Sequence, residues 1–284
     1  MADTNPNPDS DRNTPENVKE KAREMRIRMI RMVQCAGSGH LAPAMCCADI
    51  VAALFFNVMN FNTENVNDDD RDRFVLSGGH KALALYTALS LKGFFPEEVL
   101  YTYCKFDSTL GGHPDASKVP GVEISTGSLG HGIPIGAGMA LSGKLKNKNF
   151  RSYVLMGDGE LLEGSNWEAA FFASHYKLDN LIVIIDRNGL CADGTVKEVM
   201  DVEPLREKWE AFGWTVKEVD GHNVEELLAV FNSIPSVKGK PTVVIANTIK
   251  GKGASFMENK YEWHNMVPSE EQFECAYREL QAIK

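Results

Sequence analysis

"YVLMGDGELLEG" (residues 153–164) runs an apolar tetrapeptide into an aspartate held between two glycines, Gly157-Asp158-Gly159. A second apolar run, "LIVIID" (181–186), follows after a segment of helical character, about residues 165–176. Neither run alternates with polar residues, as expected of strands in a parallel sheet covered on both faces. Strand, helix and strand make a βαβ unit, so the strands are parallel and the crossover right-handed. Both strands then end on one edge of the sheet. Asp158 lies past the first and Asn188 just past the second, at the carboxyl edge where such folds bind ligands.

The rest of the chain extends the same pattern. "RFVLSGGH" (73–80) reads as strand then loop, while "AFGWTVKEVD" (211–220) and "PTVVIANTI" (241–249) supply two further strands. Helices are expected over residues 14–36, where Thr14-Pro15 makes an N-cap and first-turn proline, and over 44–57 and 81–93. "TGSLGHGIPIGAGMALSGKL" (126–145) reads as a Gly-rich loop entering a small-residue helix able to pack closely on a neighbour. The expected fold is a doubly wound α/β domain, its sheet mainly parallel and its helices on both faces. It spans residues 14–284 after a polar tail at 1–13.

Composition narrows the function. The 284 residues carry a formal charge of −9, which argues against general binding to nucleic acid or an anionic membrane. An anionic ligand therefore needs local donors or a bridging cation. Lys and Arg between residues 19 and 31 interleave with Glu16, Glu20 and Glu24, a solvated helix face rather than a binding patch. Six scattered cysteines without a CxxC pair, a polar N-terminal stretch and no long apolar span set the expectation of a reduced cytoplasmic protein.

An aspartate, an asparagine and a nearby carbonyl are hard oxygen donors suited to Mg²⁺ or Ca²⁺. Mg²⁺ keeps positions open for phosphates, and the flanking glycines let the backbone approach such a group. GDG alone is also a common turn, and that simpler reading stands beside the metal reading. Five of the seven histidines, His40, His80, His113, His131 and His222, directly follow a glycine. Such a set suggests the lining of a polar pocket. His175 reads as a helix residue, and His222 in "VDGHN" as a candidate turn residue.

"GDGELLEG" followed by "NGL" resembles the motif of thiamine diphosphate enzymes, and other segments narrow the resemblance to transketolase. They are "SGHLAP" (38–43), "DRFVLSGGH" (72–80), "GGHPD" (111–115), "STGSLGHG" (125–132), "EAFGW" (210–214), "VDGHNVEEL" (219–227), "TIKGKG" (248–253) and "EWHNMVP" (262–268). The resemblance covers about residues 20–268 and the diphosphate-binding domain alone. It implies an N-terminal subunit of a split transketolase, with the pyrimidine and C-terminal domains on a partner chain and two copies of each chain in the assembly.

By motif, Asp158, Asn188 and the Leu190 carbonyl match the Mg²⁺ ligands, with Ca²⁺ or Mn²⁺ as substitutes. Gly157, Gly159, His80, His264 and Lys250 match the diphosphate side, and Gly127, Ser128 and Leu129 the aminopyrimidine side. His40 and His113 match residues that meet the sugar hydroxyls and assist proton transfer, so His40, His80, His113 and His264 form the expected catalytic set. Glu163 matches a carboxylate linking cofactor sites across the domain interface. The implied reaction moves a two-carbon ketol unit from a ketose phosphate to an aldose phosphate. Its essential glutamate is expected on the partner, so the single chain is expected to be inactive. The chain departs from the family at Leu41, His131 and Asn265, and the first two bear on sugar preference. Two alternatives stand beside this reading: a subunit of a related thiamine diphosphate synthase or 2-oxoacid decarboxylating enzyme, and a non-catalytic cofactor-binding homologue.

Overall fold

A computed structural model describes residues 14–282; the tail expected at 1–13 lies outside them. Five strands form one sheet: β1 (Arg73–Leu76), β2 (Ser152–Gly157), β3 (Leu181–Arg187), β4 (Thr215–Asp220) and β5 (Thr242–Asn247). All neighbours are parallel, in the order β1-β2-β3-β5-β4. Gly157 pairs with Asp186, and Arg187 and Asp220 both pair with Asn247, so every strand delivers its following loop to one edge.

The lack of alternation follows from two cores. Tyr153, Leu155, Ile182, Ile184 and Val244 face one apolar layer, while Val154, Met156, Val183, Ile185 and Val243 face another. The first layer is completed by α1 (Pro15–Ala36), α2 (Leu41–Cys46), α3 (Ala48–Ala53), α4 (Ala82–Leu91), α9 (Val224–Asn232) and α10 (Glu270–Ala282). The second takes α5 (Gly132–Leu145), α6 (Gly164–His175), α7 (Val196–Met200) and α8 (Leu205–Ala211). Helix α4 is apolar all round because it is buried nearly all round.

Local signals behave as their chemistry requires. Thr14 Oγ1 accepts from the Asn17 amide at 3.3 Å, and α1 ends at Gly37 with φ +63°. On α5 a Cβ at Gly136 would meet Val154 Cγ2 at 2.4 Å, so the helix lies directly on β2. The helix expected over 44–57 is corrected. It begins at Leu41, with Pro43 in the first turn where its missing N–H costs nothing, and it breaks at Cys47. The Met45 carbonyl beside the break accepts from Arg26 Nε at 3.2 Å, and the chain resumes as α3 and a π turn, Leu54–Val58. The strand expected from 211 starts instead at Thr215, since α8 runs to Ala211 and Gly213 turns the chain at φ +86°. Among the described residues no helix is long and apolar enough to cross a membrane.

Candidate active site at the carboxyl edge of the sheet

The loops after β1, β2, β3 and β5 meet at the edge. Asp158 opens the turn after β2 and is 3% exposed. Its Oδ1 accepts from the Gly159 amide at 2.9 Å and its Oδ2 from the Gly189 amide at 2.7 Å, which ties the two strand tips together. Burial pushes its pKa up to about 6, with the Asp186 charge adding to the effect against the backbone donors. Its two donors are neutral amides, so a buried carboxylate here is short of positive charge.

Asn188 is oriented by what surrounds it. Its Nδ2 faces the Asp186 carboxylate at 3.3 Å, while Oδ1 points away and accepts from the Leu190 amide at 3.1 Å. Gly189 and Cys191 use their own bonds to Val196 and Gly194 in the short ladder where Leu190 stands opposite Thr195. Asp158, Asn188 and Gly189 line a common cleft of about 560 Å³ with Asn247 and Thr248. Larger clefts, lined by Lys148, Arg151 and Asn180, open among residues that carry none of this chemistry. One carboxylate with neutral oxygens fits a hard cation that shares its shell with a phosphate, rather than a cage built by protein alone. Among the described residues there is no cluster of three His, Cys, Asp or Glu placed to hold a metal ion.

Four of the expected histidines form one wall. The His40 ring lies 5.6 Å from His80, 5.3 Å from His264 and 6.2 Å from His113, and His80 is 5.3 Å from His264, centre to centre. Burial, then the Lys81 charge, drives the His80 pKa down to about 2, and burial with Lys250 drives His264 to about 3. His40 is lowered chiefly by burial. These three rings are therefore neutral imidazoles at physiological pH. Lys250, 1% exposed, donates to the Cys191 carbonyl at 2.8 Å and to His264 Nδ1 at 3.1 Å. Burial lowers its pKa to about 8. A bound anion would restore the solvation that Lys250 has lost.

The glycine-rich loop before α5 closes the third side. Gly127 lies on the His113 ring, and a Cβ at Gly79 would stand 2.7 Å from the Thr126 carbonyl. Ser128 is exposed, and the Leu129 carbonyl is 3.0 Å from His131 Nδ1. Glu163 is exposed at the head of α6, its Cβ against Gly130. The expected residues thus fall into a metal-type pair, a histidine–lysine wall and a backbone loop, carried by loops, short 3-10 turns and the start of α2.

Three supporting residues escaped the reading of motifs. Asp186, fully buried, accepts from Lys81, from Thr248, from Cys46 Sγ at 2.7 Å and from Asn188. Glu160 accepts from Ser77, from the Gly130 amide at 3.0 Å and from the Gly157 amide at 3.3 Å, joining three loops. Two of the three left a signal in the sequence: Asp186 is a charge ending a fully apolar strand, and Lys81 directly follows "GGH". His222 lies in the turn after β4, as read from the sequence, and its ring faces inward onto Asp49 at 2.8 Å.

An edge of this construction, with amides, a buried ammonium and a cation-hungry carboxylate, defines an anion-binding α/β domain. Residues 18–280 match the family described as transketolase, thiamine diphosphate binding domain. The chain belongs to that family. It is 44% identical over 265 residues to one subunit of the apulose-4-phosphate transketolase of Phocaeicola vulgatus, covering 93% of this chain and 94% of that one. It is 40% identical over 264 residues to the SqwG subunit of the 6-deoxy-6-sulfo-D-fructose transketolase of a Clostridium species, covering 93% and 96%. The solved transketolase of Campylobacter jejuni superposes with a TM-score of 0.88 at 33% identity, over 94% of this chain and 43% of that longer one.

Proposed function

We propose that this chain is the diphosphate-binding subunit of a two-chain transketolase, which moves a two-carbon ketol unit from a ketose phosphate to an aldose phosphate. The observation that carries the reading is the convergence of Lys250, the histidine wall and Asp158 with Asn188 at one sheet edge. Relatives named as subunits match it over nearly their full length, which supports a second chain bearing the pyrimidine domain. Exposed Phe171 and Phe172 on α6, beside a groove lined by Ala137, Gly138 and Glu168, offer that chain an apolar face. Two copies of each chain would complete the assembly.

The residues divide the work. Asp158, Asn188 and the Leu190 carbonyl would hold Mg²⁺, and Lys250 with His264 and His80 would meet the diphosphate. Gly127 to Leu129 would present backbone to the aminopyrimidine. Thiamine diphosphate supplies the electron sink for breaking and making the carbon–carbon bond. His40 and His113, the latter on the open side of the wall, would orient the sugar hydroxyls, and an unprotonated imidazole there can accept a hydroxyl proton. Glu163, on the exposed rim, would face the partner.

The donor ketose is proposed to lie among the rarer sugars for which the relatives are named, with the common xylulose phosphate as the reference. The test is two-carbon transfer to an aldose phosphate with thiamine diphosphate and Mg²⁺, this chain alone and with the partner chain. Donors would be the ketose phosphates xylulose 5-phosphate and apulose 4-phosphate, with 6-deoxy-6-sulfofructose as the sulfonated alternative to a phosphate. Transfer only in the mixture is expected. Turnover by the single chain would overturn the two-chain reading, and a chain that binds no cofactor would overturn the whole.

A further inference from the structure

The segment that delivers Lys250 leaves the sheet after Asn247 and owes its course to a histidine outside the cofactor residues. Ile249, one residue before Lys250, donates its amide to His222 Nε2 at 2.9 Å. A backbone N–H can only donate, so Nε2 carries the lone pair, and the Nδ1–H donates to Asp49 Oδ2 at 2.8 Å. Asp49 is in turn gripped by both ends of Arg26, at 3.0 and 2.5 Å, and Arg26 is anchored on the Met45 carbonyl. Arg26 and Asp49 are buried, and the His222 side chain is 13% exposed. Direct contacts therefore run from α1 through α3 to the Lys250 loop.

The approach is close because residue 221 is glycine. The Gly221 amide donates to the Asn247 carbonyl at 2.8 Å, and a Cβ there would stand 2.5 Å from Thr248 Cγ2. Downstream, the Gly251 amide donates to the Ala42 carbonyl at 3.1 Å. The backbone at Lys250 is thus held on both sides, by His222 before it and by α2 after it.

We infer that His222 is a positioning residue, a tautomer-specific latch that fixes the Ile249–Lys250 backbone and so aims the Lys250 ammonium at the diphosphate. This deepens the proposed function and rests on its assignment of Lys250 to the diphosphate. Fixing this backbone matters because a long lysine loses rotamer freedom on binding an anion, and a wandering backbone would add to that loss.

Two variants of the full chain separate the latch from simple filling of space. In His222→Asn the carboxamide reaches where Nδ1 stood, so it can serve Asp49 and leaves the Ile249 amide unpaired. In His222→Gln the longer side chain brings an oxygen to where Nε2 stood, so it can accept from Ile249. The readouts are hydrogen exchange at the Ile249 and Lys250 amides, and calorimetric binding of inorganic pyrophosphate with Mg²⁺. The expected result is faster exchange at Ile249 and about tenfold weaker pyrophosphate binding in His222→Asn, with both restored in His222→Gln. Pyrophosphate binding by His222→Asn equal to that of the unaltered chain, or failure of His222→Gln to restore it, overturns the inference. If the unaltered chain ignores pyrophosphate, the functional reading falls instead, and exchange at Ile249 in the two variants still supports or overturns the latch.

Discussion

Asp186→Asn removes one charge of a fully buried ion pair in this fold. Asp186 is fully buried at the end of β3, and the Lys81 ammonium that faces it is 2% exposed. Burial alone would lower the Lys81 pKa, yet Asp186 raises it beyond its ordinary range, and Lys81 likewise holds Asp186 low against its own burial. The substitution keeps shape and removes charge, leaving Lys81 buried against a neutral amide. Breaking such a pair from one side costs about 3–5 kcal/mol, a large share of the roughly 5–15 kcal/mol by which domains are stable. Lys81→Met should cost less, near the low end of about 3 kcal/mol, because Asp186 keeps donors from Thr248, Cys46 and Asn188. The double variant removes both charges and should be more stable than Asp186→Asn alone, with a coupling of about 0.5–3 kcal/mol. Urea unfolding followed by circular dichroism at neutral pH, with unchanged slope, measures all four. A loss below about 1 kcal/mol in Asp186→Asn, or single effects that add within about 0.5 kcal/mol, would refute the argument.

Other perturbations probe the site and the buried charges. Asp158→Ala should abolish binding of thiamine diphosphate with Mg²⁺ while circular dichroism reports a folded chain; unchanged affinity by calorimetry would sink the metal assignment. Gly79→Ala places a Cβ 2.7 Å from the Thr126 carbonyl and 2.9 Å from the Gly127 amide, so the two loops must part. A loss of about 1–3 kcal/mol in urea unfolding and weaker cofactor binding are expected, and wild-type values in both would contradict the close approach. For Asp49, burial would raise the pKa, but Arg26 and then His222 outweigh it and hold the carboxyl well below the usual carboxylate range. A lowered folded pKa adds stability above the ordinary value of about 4 that is lost as pH falls below it. Asp49→Asn should therefore flatten the acid limb of the stability profile below about pH 4, and an unchanged limb would dismiss the pair as its source.

What could be read from the sequence follows from how far each constraint reaches along the chain. The apolar runs of β2, β3 and β5 declare a doubly covered sheet because burial on both faces acts on every residue in turn. The Thr14-Pro15 cap and the small residues of α5 are equally local. The break at Cys47 was not legible, because it depends on Arg26 taking the Met45 carbonyl from another helix. Asp158 and Asn188 stood out because each lies just past the end of an apolar strand, and the histidines at 40, 80, 113, 131 and 222 because each directly follows a glycine. Glu160 did not, because a carboxylate in an acidic turn looks solvated until the loops folded over it are known, and Asp186 left only the signal of a charge at the end of an apolar run. Lys81 reads as the first residue of a helix, and only its partner, 105 residues away, makes it structural.

Charge ties these supporting residues to the proposed metal. In a chain with a formal charge of −9, a diphosphate needs concentrated positive charge. Lys81 cannot supply it, being matched by Asp186. The imidazoles of His80 and His264, with pKa values down to about 2 and 3, supply donors without charge. Lys250 is the ammonium that joins the histidine wall, and burial has already lowered its pKa to about 8. One ammonium against a multiply charged diphosphate leaves a deficit beside Asp158, whose own burial pushes it toward neutrality. A divalent cation held by Asp158 and Asn188 would remove both deficits at once, since it would stabilise the carboxylate and help neutralise a bound diphosphate. On this reading cofactor and cation bind with positive coupling, so raising Mg²⁺ should tighten thiamine diphosphate binding in the unaltered chain and lose that effect in Asp158→Ala.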